Sequence, residues 1–250
     1  MKIILTGSTG FIGQEILSQC LAHPSITSVV ALSRRDLPIS NAKLTVKRIA
    51  EPDFASSFST PELKSALRGA DACIWTLGVT PSLTGSDWET LRRVSLDYTR
   101  AAAEAFSDLY KEEAKESSEA KRFRFVYFSG ALAERDQERP LWLSEGYRKV
   151  RVGTSLFLSS FFSLSRPFSL ICMQGEAENI LLNHAKENGD CFESYILRPG
   201  MVLKGGTVRS FIRGLVPSVR VEVLAKSAVD VAVHGHGERL LENDVLTAWK

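Results

Sequence analysis

Three glycines near the start of the chain are spaced for anion binding. Gly7, Gly10 and Gly13 form G-x-x-G-x-x-G between a short apolar run and a stretch of helical periodicity. Gly7 permits a tight turn, Gly10 lets backbone approach a diphosphate, and Gly13 lets the helix pack closely. The helix offers free N–H groups and partial positive charge to the same anion. Ser8, Thr9, Phe11 and Ile12 complete the loop. Ser33 lies twenty residues beyond Gly13 and is followed by Arg34 and Arg35. An acid at that distance would hold a ribose 2′-hydroxyl. A serine hydroxyl with two guanidinium groups suits a 2′-phosphate instead. The pattern favours NADP(H) over NAD(H), and Asp36 keeps NAD(H) open.

These groups need elements to hold them. Residues 3–5, 29–32, 44–49, 72–77, 123–129 and 194–197 read as strands. Residues 11–21, 61–67, 87–106 and 176–187 read as helices, with 108–122 expected as a helix end and loop. Beyond Gly200, 219–223 alternates like a strand and 226–233 like a helix. Strands alternating with helices imply a doubly wound, mostly parallel α/β sheet with helices on both faces. No linker or repeat divides the chain. One domain over 1–250 is expected, with 201–250 as a small substrate-side cap and ligand at the carboxyl ends of the strands.

With that context, Thr6 to Gly13 resembles the cofactor loop of extended and atypical short-chain dehydrogenases/reductases, including NmrA-like and epimerase-like members. Further stretches agree in order. They are Asp53-Phe54, Val94-Ser95-Leu96-Asp97-Tyr98-Thr99, Phe128-Ser129-Gly130, Leu197-Arg198-Pro199-Gly200 and Leu241-Glu242-Asn243. The resemblance covers most of the chain except about residues 150–174. It implies a Rossmann-like sheet, adenine contacts from Asp53 and Phe54, Leu77-Gly78 on the nicotinamide side, and Pro199 in a turn beside the cofactor. In this family a Tyr exchanges a proton with the substrate oxygen. A Lys four residues later lowers the Tyr pKa and binds ribose, and a Ser polarises the same oxygen. Ser129 fits the serine role by position. Tyr147 has Arg151 rather than Lys four residues on, and Lys149, two positions away, faces elsewhere on a helix. The implied catalytic set is Ser129 and Lys149 with Tyr147 third, on a degenerate motif.

Residues 150–174 break the pattern. They hold six Ser, four Phe and no acid, and their apolar positions follow neither a strand nor a helix period. Arg166-Pro167 and the serine load argue against a membrane span, which needs about twenty predominantly apolar residues. Val150-Arg151 back-translates to GTA-AGA and Met173-Gln174 to ATG-CAG, which resemble the two ends of an intron. Excision would join Lys149 to Gly175 and place Glu178 four residues after Lys149. The segment is thus read as retained-intron translation, against a genuine insertion that packs somewhere.

Composition narrows the class. Lys+Arg 31 against Asp+Glu 29 is near balance, which gives no sign of a nucleic-acid partner. The four cysteines lie far apart in apolar runs, with no C-x-x-C pair, so neither zinc nor a disulfide framework is expected. His234-Gly235-His236 reads as a turn rather than a metal site. The opening residues lack a signal-peptide core, which leads to an expectation of a cytoplasmic protein with no membrane partner. The resulting expectation is an NADP(H)-dependent oxidoreductase or epimerase-like enzyme acting on a small carbonyl, alcohol or sugar-nucleotide substrate. The alternative is a non-catalytic, redox-responsive NADP-binding regulator of the NmrA-like kind. Ser129 favours the enzyme and the missing Tyr-x-x-x-Lys favours the regulator.

Overall fold

A computed structural model describes residues 1–49, 54–78, 88–114, 122–136, 166–205 and 217–250. The strands are β1 (Lys2–Thr6), β2 (Ser28–Ser33), β3 (Leu44–Arg48), β4 (Ala72–Trp75), β5 (Phe123–Phe128), β6 (Phe192–Arg198), β7 (Met201–Leu203), β8 (Ser218–Arg220) and β9 (Leu240–Glu242). Seven of them form one parallel sheet in the order β3-β2-β1-β4-β5-β6-β9. The order reverses between β1 and β4. A doubly wound sheet opens a crevice at that point, outside the strands' carboxyl ends.

The central strands are apolar on both faces because both faces are covered. Successive residues point to opposite sides, so Ile3 and Leu5 enter one core and Ile4 the other. Helices α1 (Phe11–Ala22) and α7 (Val221–His234) cover the first face, bringing Ile16, Leu17, Leu224 and Val231 onto the sheet. The second face is covered by α2 (Phe54–Ser57), α3 (Pro61–Leu67), α5 (Tyr98–Ala114) and α6 (Arg166–Glu187). Its core is aromatic: Trp75, Phe106, Phe123, Phe125 and Phe192 meet with ring centroids 5.5–6.2 Å apart. Such pairs add about 0.5–1.5 kcal/mol each beyond area burial.

Helix α4 (Trp88–Arg92) runs into α5 through a π-helical turn over Arg93–Asp97. Three successive residues, Val94, Ser95 and Leu96, are buried there. An α-helix presents a narrower stripe to a core, and the wider turn lets all three face inward.

The structure corrects several expectations. Helix α5 runs to Ala114, past the Phe106 end read for the long helix and within the stretch expected as helix end and loop. Val221 to Val223, expected in a strand, begin α7, because Val221 and Leu224 are needed against α1 and the sheet. Residues 201–250 are not all a cap. Helix α7 belongs to the main sandwich and β9 is the sheet's edge strand, while β7 and β8 pair separately where the chain leaves β6. Helix α8 (Asn243–Thr247) closes the described chain. Among the described residues no helix is long and apolar enough to cross a membrane.

Candidate functional site

The glycine loop joins β1 to α1 at the point where the strand order reverses. Gly7 has φ +67°, and a Cβ on it would stand 2.4 Å from Thr76 Oγ1. Only glycine combines that conformation with so close an approach. Gly10 N donates to Gly7 O at 2.8 Å, and Gly10 then caps α1 without any side-chain bond. The first turn of α1 carries no acidic residue, so its free N–H groups face outward unopposed. Gly13 packs against the loop itself: a Cβ there would lie 2.1 Å from Gly7 O. Ser8 is buried, and its Oγ has no hydrogen-bond partner. A buried orphan hydroxyl is an unmet donor, and beside free helix N–H groups it suits an anion's oxygen. Thr9, Phe11 and Ile12 line the turn, with the Phe11 ring 49% exposed. The loop residues therefore fit a diphosphate.

Thr76 underlies this loop and was not among the residues singled out from sequence. Its Oγ1 donates to Thr6 O at 2.7 Å, and its N–H donates to Thr6 Oγ1 at 3.2 Å. The carboxyl ends of β1 and β4 are thereby locked beneath Gly7. Leu77 follows, partly buried against the aromatic core, and Gly78 is exposed.

At the end of β2, Ser33 Oγ accepts the Arg35 N–H at 3.2 Å, a turn that presents Arg34 and Arg35 at the surface. Asp36 faces Arg48 at 3.8 Å, both side chains being exposed. Phe54 departs from expectation. Its ring is buried, stacked on Tyr98 at 4.4 Å and edge-on to Trp75 at 5.9 Å. The aromatic core takes it because burying a phenyl ring there outweighs leaving it at a loop surface, so no face is left for adenine. Asp53, Tyr147 and Lys149 lie outside the described residues.

A second polar cluster gathers at the carboxyl ends of β5 and β6. Ser129 donates its hydroxyl proton to Glu178 at 2.6 Å. Glu178 sits on α6, fully buried, and accepts from Arg198 Nε at 2.8 Å and Nη2 at 2.6 Å. Arg135 Nε stands 3.5 Å from the same carboxylate. Arg198 also reaches Glu242 at the end of β9, at 3.1 Å. Burial opposes the Arg198 charge, but its bonds to Glu178 and Glu242 outweigh this and hold the guanidinium above its ordinary pKa. Tyr127, on β5, is pushed far up by burial, with the Glu178 charge adding to the effect. It therefore stays a neutral phenol and offers no general base.

Ser129 is thus where the sequence placed it, at a strand end, but its proton is engaged by a protein group. Pro199 is buried in the adjoining turn, and its carbonyl accepts from Ala131 N at 2.9 Å. Glu178 was legible only as the acid of a Lys-Gly-x-x-Glu pattern. Its partner here is Arg198. Two signals point to the pair: Glu178 lies three residues before Leu181 on an otherwise apolar stripe, and Arg198 ends a buried strand. A buried charge needs a counter-ion. The position before Gly175 on α6 is held by Gln174, whose Oε1 lies against Gly130, 3.0 Å from where a Cβ would be. Residues 171–174 belong to α6, with Ile171 and Met173 buried. That end of the atypical segment packs into the core.

No protein-family model matches the chain. It is 33% identical over 129 residues to the leucinostatins biosynthesis cluster protein T of Purpureocillium lilacinum, covering 52% of this chain and 42% of that protein. It is 41% identical over 59 residues to the nonribosomal peptide synthetase acrB of Aspergillus aculeatus, covering 24% of this chain and 4% of the synthetase. The chain spans less than half the length of these curated relatives. A short-chain dehydrogenase from Burkholderia cenocepacia, solved with NADP, superposes with TM-score 0.64 at 15% identity, over 96% of this chain and 86% of that one. MoeE5, solved with UDP-glucuronic acid and NAD, gives 0.61 at 17% identity over 97% and 75%. The fold is that of a parallel, dinucleotide-type Rossmann sheet. More particularly, it is the fold shared by these solved structures, the short-chain dehydrogenase from Burkholderia cenocepacia among them.

Proposed function

We propose that the chain binds a nicotinamide dinucleotide, NADP(H) in preference to NAD(H), and acts as an oxidoreductase or epimerase-like enzyme on a small carbonyl, alcohol or sugar-nucleotide substrate. The observation that carries this reading is the glycine loop, with its positive-φ Gly7, the Gly13 backbone contact and the orphan Ser8 hydroxyl at the α1 N-terminus. Backbone amides of the loop and Ser8 would hold the diphosphate, while Ser33, Arg34 and Arg35 would hold the 2′-phosphate. The bound dinucleotide supplies or accepts hydride. The chain's own residues shape the crevice, and Ser129 stands just past the end of β5. The fold neighbours solved with NADP and NAD support the cofactor class, and the similarity to a biosynthetic-cluster protein supports a small-molecule substrate. Fluorescence titration with NADPH and NADH, followed by hydride-transfer assays on a carbonyl panel, tests the reading. Absence of affinity for either dinucleotide defeats it.

A second reading is a dinucleotide-binding regulator without turnover. Two observations favour it: Ser129 gives its proton to Glu178, and Gln174 rather than a lysine precedes Gly175 on α6. Tight NADPH binding with no hydride transfer supports this reading over the first. Excision of residues 150–174 would bring Lys149 to the position of Gln174. Sequencing of transcripts decides which residue the mature protein carries there.

A further inference from the structure

The cluster around Ser129 determines which kind of ligand atom that residue can hold. A serine hydroxyl has one proton and two acceptor lone pairs, whereas an ionised carboxylate only accepts. Both Glu178 oxygens already accept from Arg198, at 2.8 and 2.6 Å. The 2.6 Å contact between Ser129 and Glu178 Oε1 therefore has one direction, with Ser129 donating. Bonds to charged groups are the strong ones and hold their geometry, and Glu178 is fully buried, away from competing water. What Ser129 has left to offer is lone pairs.

We propose that Glu178 fixes Ser129 as a hydrogen-bond acceptor, so that the ligand atom seated on Ser129 carries a hydrogen, either the hydroxyl of an alcohol substrate or the carboxamide NH2 of a nicotinamide. This rests on the dinucleotide reading above. Ser129 is largely buried, at 8% exposure, and lies just past the carboxyl end of β5, the end at which doubly wound sheets take their ligands. A carbonyl oxygen brought to the same place would meet lone pairs and be disfavoured. The arrangement inverts the role implied by family resemblance, in which the serine polarises a substrate oxygen by donating to it. Glu178 touches no ligand in this scheme. It is a positioning residue acting through Ser129, with Arg198 and Arg135 holding it in place.

The test uses two pairs of probes in which one member offers a hydrogen-bond donor at the recognised group and the other does not. The first is NADPH against its 3-acetylpyridine analogue, in which a methyl replaces the amide nitrogen. The second is tert-butanol against acetone, titrated by NMR onto NADP+-loaded protein, where neither compound can react. Wild type prefers the donor-bearing member of one pair by about tenfold, the worth of one hydrogen bond. Preference in the first pair places the nicotinamide on Ser129, and preference in the second places the substrate hydroxyl there. Ser129→Ala removes the preference without touching the Arg198–Glu178 bonds. Glu178→Gln leaves one neutral oxygen where two charged ones accepted from Arg198 and Ser129, so the hold on the Ser129 proton weakens and the preference shrinks, which a purely structural role for Glu178 would not produce. Should Glu178→Gln fail to fold, Ser129→Ala decides alone. NADPH binding with no preference in either pair, a preference for the acetyl analogue or acetone, or a preference surviving Ser129→Ala overturns the assignment and leaves the dinucleotide reading standing. Failure of wild type to bind NADPH at all removes that reading instead.

Discussion

Gly13 and Gly7 touch through backbone, six residues apart, closely enough that a Cβ on the first would stand 2.1 Å from the carbonyl oxygen of the second. Gly13→Ala must therefore push α1 away from the loop. Forcing extra volume into such a contact costs about 1–3 kcal/mol. We expect a lower melting temperature and NADPH affinity reduced by roughly tenfold or more. A variant that melts and binds like wild type would show that the loop relaxes freely, and that its geometry does not set affinity.

Arg34 and Arg35 follow the end of β2 at the surface. Replacing both with Ala is expected to weaken NADPH by about tenfold or more, as loss of charge-assisted bonds does, while NADH changes little. The NADPH loss should shrink as salt is raised, since exposed charges are screened. Equal loss for both dinucleotides would refute the phosphate assignment.

Arg198 is the chief counter-ion of a carboxylate with no solvent exposure. Arg198→Leu leaves Glu178 buried with its main partner gone, a change that typically destabilises by about 3–5 kcal/mol. Replacing Arg198 and Glu178 together with apolar residues should recover much of that loss, because the desolvation penalty disappears with the pair. Denaturant unfolding of the two single variants and the double gives the coupling. Additive losses would mean that the 2.6 Å contact contributes little.

Glu193, on β6, is held down to about 2 by its bond from Arg239 first, against the opposing effect of burial, with Tyr195 and Arg122 adding to the lowering. A carboxylate depressed in the folded state contributes stability that is fully present above its unfolded pKa. That stability is lost as pH falls through the folded value. Acid unfolding should accordingly steepen below about pH 4.5, the carboxyl's ordinary value, and continue toward pH 2. Glu193→Gln should flatten that limb and leave neutral stability lower. The effect is modest, since Arg122 and Arg239 are about half exposed and screened by water and salt. An unchanged acid limb in the variant would assign the transition to other groups.

How much was legible differs from element to element. The β1 strand, glycine loop and α1 helix are specified within some twenty residues, by an apolar run, glycine spacing and helical period, and the structure matches the reading closely. Val219 to Val223 show how a local pattern misleads. Alternating valines look like a strand, yet the chain turns at Arg220 because the sandwich needs a second helix beside α1. Phe54 misled in the same way. Nothing near it in sequence announces that Tyr98 and Trp75 wait to stack on it. Strand β9 has three residues, too few to show a period.

The sequence alone determined the fold class and the diphosphate-type loop, because periodicity, turn chemistry and glycine placement act between near neighbours on the chain. Tertiary structure decided the direction in which Ser129 points its proton. Ser129, Glu178, Arg198 and Glu242 come from four separate places in the chain that meet only because β5, β6 and β9 lie side by side with α6 packed on the sheet's second face. A buried carboxylate takes whatever donors the assembled sheet delivers to it, and which donors those are is a property of strand order, not of local sequence.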